Sequence, residues 1–216
     1  MSQSSCIKYK MIYSKYCKFR QLFHKYLKMS QEFEIKFIKI DKNQVREKCK
    51  SMGLACTTDE FLMIRKTFHP ITTEKNEWFR IRQESDKITM TYKCIHNDSI
   101  DGMEEHEIIV DDFDAAAQIL EKTGLKNTST QENYREIWKN DAIEICIDTW
   151  PGLLPYIEIE GKNQEIVKKY VEKMWYDFHD WLFGGSEVVY EKELGIDPKI
   201  LISLPEITFK NSPKIL

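Results

Sequence analysis

The stretch Glu32-Phe33-Glu34-Ile35-Lys36 points most directly to the fold of this chain. Successive side chains of a β-strand point to opposite faces, so positions 32, 34 and 36 share a charged face and the opposite face is apolar. Neighbouring carboxylates suit a hard divalent cation, and a neighbouring ammonium group suits a phosphate. The pattern therefore predicts either a solvated strand face or one wall of a site for metal and phosphate.

Several later segments alternate apolar and charged residues in the same way. The side chains that share a face are Arg80 and Arg82, Thr91 and Lys93, Glu105 and Glu107, Arg135 and Lys139, Glu144 and Asp148, and Glu158 and Glu160. On one strand, alternation is typical of an antiparallel sheet with a solvated face. Here acids and bases segregate by strand, and like charges at neighbouring positions repel unless a ligand neutralises them. The repetition favours a shared binding site.

The order of these motifs resembles the CYTH superfamily, the triphosphate tunnel metalloenzymes. The resemblance rests on Glu32-x-Glu34-x-Lys36, Phe79-Arg80-Ile81-Arg82, Thr91-Tyr92-Lys93, Glu105-x-Glu107, Arg135, Asp148 and Ile157-Glu158-Ile159-Glu160-Gly161. It covers residues 32–161, and the helix that follows fits as well. The chain departs from the family at 61–68, where an aromatic-x-Asp element is expected, and Arg65 in this segment is a further candidate for lining the tunnel. The chain also has Leu154-Pro155-Tyr156 where the family often has a Gly-aromatic pair.

This resemblance implies an α+β fold, an eight-stranded antiparallel closed β-barrel with helices packed outside. The barrel interior would be a charged tunnel for a triphosphate. The superfamily includes class IV adenylyl cyclases, thiamine triphosphatases, inorganic tripolyphosphatases and fungal-type RNA triphosphatases. The favoured function is a metal-dependent triphosphatase. A class IV adenylyl cyclase that makes cyclic AMP and pyrophosphate from ATP is the alternative, and a non-catalytic polyphosphate- or nucleotide-binding module is a third.

The resemblance also implies roles for individual residues. The residues implied to bind the triphosphate are Lys36, Arg80, Arg82, Lys93 and Arg135. The residues implied to hold Mg²⁺ or Mn²⁺ are Glu32, Glu34, Glu105, Glu107, Asp148, Glu158 and Glu160. Catalysis is assigned to Glu32, Glu34 and Lys36. The partner implied is a small-molecule triphosphate, and the sequence leaves open whether the protein forms a homodimer.

Charge and composition set further expectations. Residues 1–28 carry seven basic side chains and no acidic one, which leaves 25 basic against 35 acidic residues in 29–216, a formal charge of −10. An acidic body argues against a nucleic-acid surface. We expect 1–28 to be a basic extension, disordered or upstream of a true start at Met29, and 29–216 to be a single domain. Scattered thiols and no transmembrane or signal pattern predict a cytoplasmic protein without a membrane partner.

Local patterns predict about eight strands and a few helices. The predicted strands cover 32–40, 60–68, 77–83, 87–95, 104–110, 133–139, 142–148 and 155–160. Helices are predicted to begin at Asp41 and at Asp111 or Asp112, because these residues suit the N-cap position. A long amphipathic helix is predicted over 163–183, followed by a short one around 188–194.

Overall fold

A computed structural model describes residues 28–31, 33–71, 76–96, 103–177 and 180–214. The predicted extension 1–28 lies outside the described residues except for Lys28, and so does the predicted site residue Glu32.

The described chain forms ten strands and five helices. The strands are β1 Lys28–Gln31, β2 Phe33–Phe37, β3 Ala55–Pro70, β4 Glu77–Gln83, β5 Ile88–Ile95, β6 Met103–Val110, β7 Leu125–Lys139, β8 Ile143–Thr149, β9 Tyr156–Gly161 and β10 Glu206–Ile207. The helices are α1 Lys42–Ser51, α2 Phe113–Lys122, α3 Gln164–Met174, α4 Ser186–Leu194 and α5 Pro198–Ser203.

The strands form one curled sheet in the order β1-β6-β5-β4-β3-β7-β8-β9-β2, in which all neighbours are antiparallel. The short β10 runs parallel to β7 beside this path. Strands β1 and β2 lie at opposite ends of the order, although a single residue separates them in the chain. The edges of the sheet must therefore approach each other, and the eight strands β2 to β9 make a half-barrel.

The predicted closed barrel is not observed in the described part of the chain, where β1 and β2 are not paired with each other. The outer edge of β2 is instead covered by a later segment. The Lys36 amide donates to the Leu182 carbonyl at 3.0 Å, and the Leu182 amide donates back to the Lys36 carbonyl at 3.0 Å. Because these backbone groups already have partners, β2 is not available at this point to pair with β1.

Apolar strand faces pack against helices on the outside of the half-barrel. Ile35, Ile145 and Ile159 are fully buried in a core that also contains residues of α1 and α3. A second core joins β3 and β4 to α2, and a third joins the β8–β9 region to α4 and α5. Burying one such Ile side chain stabilises the fold by roughly 1.5–3 kcal/mol. Because the apolar faces of the strands lie outward against the helices, the charged faces lie on the concave side of the sheet.

Both predicted helix starts are confirmed by their capping hydrogen bonds. Asp41 Oδ1 accepts from the Gln44 amide at 2.8 Å, and Asp112 Oδ1 accepts from the Ala115 amide at 2.8 Å. Each bond satisfies an amide that has no partner within its own helix.

The long helix predicted over 163–183 is wrong in its second half. Helix α3 ends at Met174, and Trp175 adopts a left-handed conformation with φ of 64°. The chain must leave the helix axis there to bring Leu182 beside Lys36. Trp181 and Phe183 nevertheless pack against the same core as α3, which explains why their spacing resembles a continued helical stripe.

Strands β3 and β7 are longer than the predicted 60–68 and 133–139 because they pair with each other from Ala55 to Pro70. Among the described residues, the helices are too short or too polar to cross a membrane.

Candidate functional site

The concave face of the half-barrel surrounds a cavity of about 920 Å³. It is lined by ten of the predicted site residues, namely Glu34, Lys36, Arg80, Arg82, Lys93, Glu105, Glu107, Arg135, Glu158 and Glu160. These residues come from six strands, which confirms that their charged faces meet. Asp148 is fully buried and lies behind the cavity wall, while Glu32 falls outside the described residues.

Three glutamates form a row across adjacent strands on one wall. Glu34 lies opposite Glu160 in the pairing of β2 with β9, and Glu160 lies opposite Glu144 in the pairing of β9 with β8. All three side chains line the cavity. Like charges at directly opposite positions are destabilising unless another charge offsets them. This row is the part of the wall best suited to a cation.

Lys36 lies next to this row and is almost completely buried, with 1% of its surface exposed. Its ammonium group donates to Glu34, and its Nζ lies 3.4 Å from Glu158 Oε1. Burial alone would lower the pKa of Lys36, but Glu158 and Glu34 raise it above its ordinary value. The side chain therefore stays positively charged and is poorly suited to act as a base.

Arg135 is held in place from behind by Asp148. Arg135 Nε donates to Asp148 Oδ1 at 2.8 Å and Nη2 donates to Oδ2 at 2.5 Å, while Asn133 Nδ2 also donates to Oδ1 at 3.1 Å. Arg135 Nη2 also pairs with Glu158. The two-pronged contact fixes the plane of the guanidinium group. Asp148 thus positions Arg135 and does not itself reach the cavity.

The opposite wall carries a second group of charges on β4, β5 and β6. Lys93 Nζ lies 2.9 Å from Glu105 Oε2, and Arg80 Nη2 lies 3.8 Å from Glu105 Oε1. Arg82 Nη2 lies 3.7 Å from Glu107 Oε2, which also accepts from Thr91 Oγ1 at 3.1 Å. Both arginines are largely buried, so their charges are poorly screened by water.

Arg65 on β3 stands between the two walls and is only 7% exposed. Its Nη2 donates to Asn133 Oδ1 and lies 3.0 Å from Met63 Sδ, and both of these partners are neutral. Burial lowers the pKa of Arg65, and the nearby charges of Arg80, Arg82 and Arg135 lower it further, whereas Asp148 opposes them with a smaller effect. Because an arginine does not lose its proton in practice, the side chain stays charged in a place that is unfavourable for a cation.

Sequence reasoning left several wall residues unassigned. Arg65 lies in the segment that departs from the family pattern, where the sequence makes it a candidate for lining the tunnel without assigning it a role. The structure places it in the cavity wall with Met63 and Thr67 of the same strand. Glu144 shares strand parity with Asp148, a signal that was available in the sequence. Trp150 and the C-terminal residues Ile202 and Ile207 carry no local signal, because only the tertiary fold brings them to the cavity.

The carboxylates of the cavity are engaged by neighbouring cations in this arrangement. Within the described ranges, no set of three acidic, histidine or cysteine side chains stands ready to hold a metal ion. Glu34 pairs with Lys36, Glu158 with Arg135, and Glu105 with Lys93. A divalent cation would have to compete with these ion pairs for the oxygen ligands it prefers.

Most of the cysteines that the structure describes are buried. Cys49, Cys94 and Cys146 are buried and Cys56 is exposed. Burial raises the pKa of Cys49 to about 12, so its thiol stays protonated and is a weak nucleophile.

Comparison with known proteins assigns the chain to a family. The family model described as "CYTH domain" matches residues 30–183. A protein of Methanocaldococcus jannaschii named "Putative adenylate cyclase MJ0240" is 33% identical over 148 residues, which cover 64% of this chain and 81% of that protein.

Solved structures share the fold. A "putative adenylate cyclase" from Vibrio parahaemolyticus superposes with a TM-score of 0.64 at 12% identity, covering 76% of this chain and 99% of that one. The "putative adenylyl cyclase HpAC1" from Hippeastrum, which is described as having a dominant triphosphatase activity, superposes with a TM-score of 0.50 at 14% identity, covering 74% of this chain and 94% of that one. Because the family model spans well over half of the residues, this chain belongs to the CYTH domain family.

Proposed function

We propose that this protein is a divalent-metal-dependent phosphohydrolase that acts on triphosphates bound in the cavity. The observation that carries the proposal is the environment of Arg65. Its buried guanidinium group has neutral hydrogen-bond partners, and the repulsion of three further arginines acts on it more strongly than the attraction of Asp148. Such a group of cations is costly in the free protein. A polyanion would offset it, and a triphosphate carries enough charge to do so.

The remaining basic residues surround the same space and suit phosphate oxygens. Arginine presents a flat fork of donors that matches two oxygens of one phosphate group, whereas lysine acts as a point charge. We assign phosphate binding to Lys36, Arg65, Arg80, Arg82, Lys93 and Arg135. Asp148 contributes by fixing the orientation of Arg135.

The carboxylate oxygens of the glutamate row are of the type that Mg²⁺ and Mn²⁺ prefer, although among the described residues the three side chains do not converge on one point in this arrangement. Glu34, Glu144 and Glu160 offer carboxylate oxygens from adjacent strands, and the side chains of Glu34 and Glu144 are 26% and 34% exposed. Glu105 and Glu107 are the candidates for a second ion on the opposite wall. When bound, a divalent cation neutralises charge that develops on the phosphate oxygens.

Hydrolysis then needs an attacking water and a proton acceptor. Water attacks the terminal phosphorus, the bond from that phosphorus to the bridging oxygen breaks, and diphosphate leaves. Burial would raise the pKa of Glu158, but the positive charges of Arg135 and Lys36 have the larger effect and hold this pKa below its ordinary value. Because a carboxylate with a lowered pKa binds a proton weakly, Glu158 is a poor proton acceptor. We assign the acceptor to the glutamate row. Lys36, which stays charged, stabilises the phosphate oxygens.

A class IV adenylyl cyclase remains the second candidate, and the similarity to the Methanocaldococcus jannaschii protein favours it. In that reaction the ribose 3′-hydroxyl attacks the α-phosphorus and pyrophosphate leaves. The same cations would stabilise the charge on the phosphate chain in either reaction.

A product assay distinguishes the candidates. The protein is incubated with inorganic triphosphate, thiamine triphosphate and ATP, each with Mg²⁺ or Mn²⁺, and the products are separated by ion-exchange chromatography. We expect inorganic phosphate in amounts that depend on the metal. Cyclic AMP with pyrophosphate would overturn hydrolysis in favour of cyclisation. Binding without turnover of all three compounds would indicate a non-catalytic module.

A further inference from the structure

The cavity has an apolar part in addition to the part that is lined by charged residues. Its volume of about 920 Å³ lies within the range of roughly 300–1,000 Å³ that encloses an organic ligand of moderate size. One end of it is apolar and is formed by Trp150, Val188, Leu201, Ile202 and Ile207. Four of these five residues belong to the segment 184–214, which lies beyond the region that matches the CYTH domain.

The apolar end is attached directly to the charged part. Gln131 of β7 is the register partner of Arg65 on one side and of Ile207 on the other. The Thr130 amide donates to the Pro205 carbonyl at 2.9 Å and secures the connection before β10. Leu201 and Ile207 pack with Trp150 in one buried core. A ligand bound to the arginines therefore meets the apolar end at Arg65.

Arg65 and Trp150 form the boundary between the two parts. The centre of the Arg65 guanidinium group lies 4.6 Å from the centroid of the Trp150 ring, a cation–π contact between two flat groups. Arg65 Nε and Trp150 Nε1 are buried and have no hydrogen-bond partner among the described residues. Both atoms are donors only, so a ligand that satisfies them must carry acceptor atoms.

We propose that this apolar end binds the nucleobase of a nucleoside triphosphate, so that the segment 184–214 sets the substrate class. The inference rests on the proposed triphosphatase function and narrows it. A nucleobase is flat, largely neutral and rich in acceptor nitrogen and oxygen atoms. It therefore offers the acceptors that Arg65 Nε and Trp150 Nε1 lack among the described residues. A cationic ring such as the thiazolium of thiamine would be repelled by Arg65 and its arginine neighbours.

Two isoleucines of α5 allow a matched test. Ile202 lines the cavity and is 51% exposed, whereas Ile200 is 52% exposed and is not part of the cavity wall. Neither substitution to Gln removes a fully buried side chain, so both variants are expected to fold. Kinetics and calorimetric binding are measured for ATP and for inorganic triphosphate with the wild type, Ile202→Gln and Ile200→Gln.

We expect the wild type to prefer ATP over inorganic triphosphate by about tenfold or more in kcat/KM, the scale of a small apolar contact in a binding pocket. Ile202→Gln should reduce that preference several-fold by weakening ATP binding, and Ile200→Gln should leave it unchanged. Equal use of the two compounds, or equal effects of the two substitutions, overturns the nucleobase site and leaves triphosphate hydrolysis intact. If the wild type neither binds nor hydrolyses either compound, the proposed function fails and the nucleobase site fails with it.

Discussion

At the scale of single residues, the cavity places charges where each depends on its neighbours. Lys36, Glu34 and Glu158 form one partly buried group, and Arg135 joins it through Glu158. Buried ion pairs are costly to break, because the remaining partner keeps an uncompensated charge. We therefore expect substitutions of the charged cavity residues to change the stability of the free protein and the binding of its ligands, and these effects can be measured separately.

Glu34→Gln should weaken the dependence on metal. The amide keeps the shape of the side chain but removes one anionic ligand from the glutamate row. We expect the Mg²⁺ or Mn²⁺ concentration for half-maximal activity to rise about tenfold or more. Glu47→Gln is the control, since Glu47 is exposed on α1 and pairs with Lys50 outside the cavity. An unchanged metal requirement in Glu34→Gln would contradict the assignment of this wall.

Arg65→Met should increase the stability of the free protein and decrease its affinity for triphosphate. The substitution removes a buried cation on which the repulsion of Arg80, Arg82 and Arg135 outweighs the attraction of Asp148. Replacing a buried charged group by an apolar side chain is stabilising by about 1–4 kcal/mol in favourable cases. Urea unfolding without ligand measures the first effect, and calorimetric titration with inorganic triphosphate measures the second. A variant that loses stability without ligand would show that Arg65 has a structural role.

Glu158→Gln should change how stability depends on pH. Burial would raise the pKa of Glu158, but Arg135 and Lys36 hold it below its ordinary value of 4.5. A carboxylate with a lowered pKa stabilises the fold fully above pH 4.5, and this contribution is lost as the pH falls through the folded-state pKa.

The wild type should therefore exceed Glu158→Gln by about 3 kcal/mol in unfolding free energy at pH 7. The gap should narrow below pH 4.5 in urea unfolding at pH 7, 5 and 4. Glu172→Gln, at an exposed position on α3, should show no such trend. A gap that is constant with pH would argue against a charged Glu158.

At the scale of elements, the segment between α3 and α4 decides the shape of the cavity rim. Leu182 covers the edge of β2, and Gly184 and Gly185 then lead the chain into α4 along the cavity. Gly184 has φ of 108°, and a Cβ atom there would lie 2.8 Å from Val188 Cγ1. Both backbone conformation and space therefore require glycine at this position.

Gly184→Ala should destabilise the protein by more than Gly195→Ala. Gly195 also has a positive φ, 65°, but a Cβ atom there meets open space. We expect about 1 kcal/mol for Gly195→Ala from the left-handed backbone alone and about 2–3 kcal/mol for Gly184→Ala, where a steric clash adds to it. Thermal unfolding of both variants checks the order, and equal losses would show that the rim is free to shift.

At the scale of the whole molecule, the half-barrel gathers basic and acidic side chains together on its concave side, and residues 29–216 as a whole are acidic. Ligands that bind only the folded state stabilise it, by about 2.7 kcal/mol at a concentration one hundred times Kd. For a chain of 216 residues this corresponds to a rise in Tm of roughly 5–10 °C.

Inorganic triphosphate should produce such a rise in the wild type, and added salt should reduce it because screening weakens charge attraction. Arg80→Ala should show a much smaller rise at the same concentration, since it removes one of the cavity cations. Differential scanning calorimetry at two ionic strengths measures both effects. A shift of equal size in the wild type and Arg80→Ala would place the binding site elsewhere.

The sequence by itself determined which strand faces are charged. Side-chain alternation depends only on backbone geometry, so Glu34 with Lys36, Arg80 with Arg82, and Glu158 with Glu160 were assigned to shared faces that the structure confirms. The capping residues Asp41 and Asp112 were equally local and equally predictable. These features need no knowledge of what each segment packs against.

Only the tertiary structure decided which residues reach the cavity from a distance. Asp148 shares the alternation of its strand, yet it does not reach the cavity. It is fully buried, and Arg135, to which it is hydrogen-bonded, lines the cavity in its place. Helix α3 ends early because Leu182 pairs with the edge of β2, which also leaves the sheet a half-barrel. Trp150, Ile202 and Ile207 close the apolar end through contacts across more than fifty residues of chain. Local patterns carry no record of such contacts, because packing between distant segments depends on the shape of the whole fold.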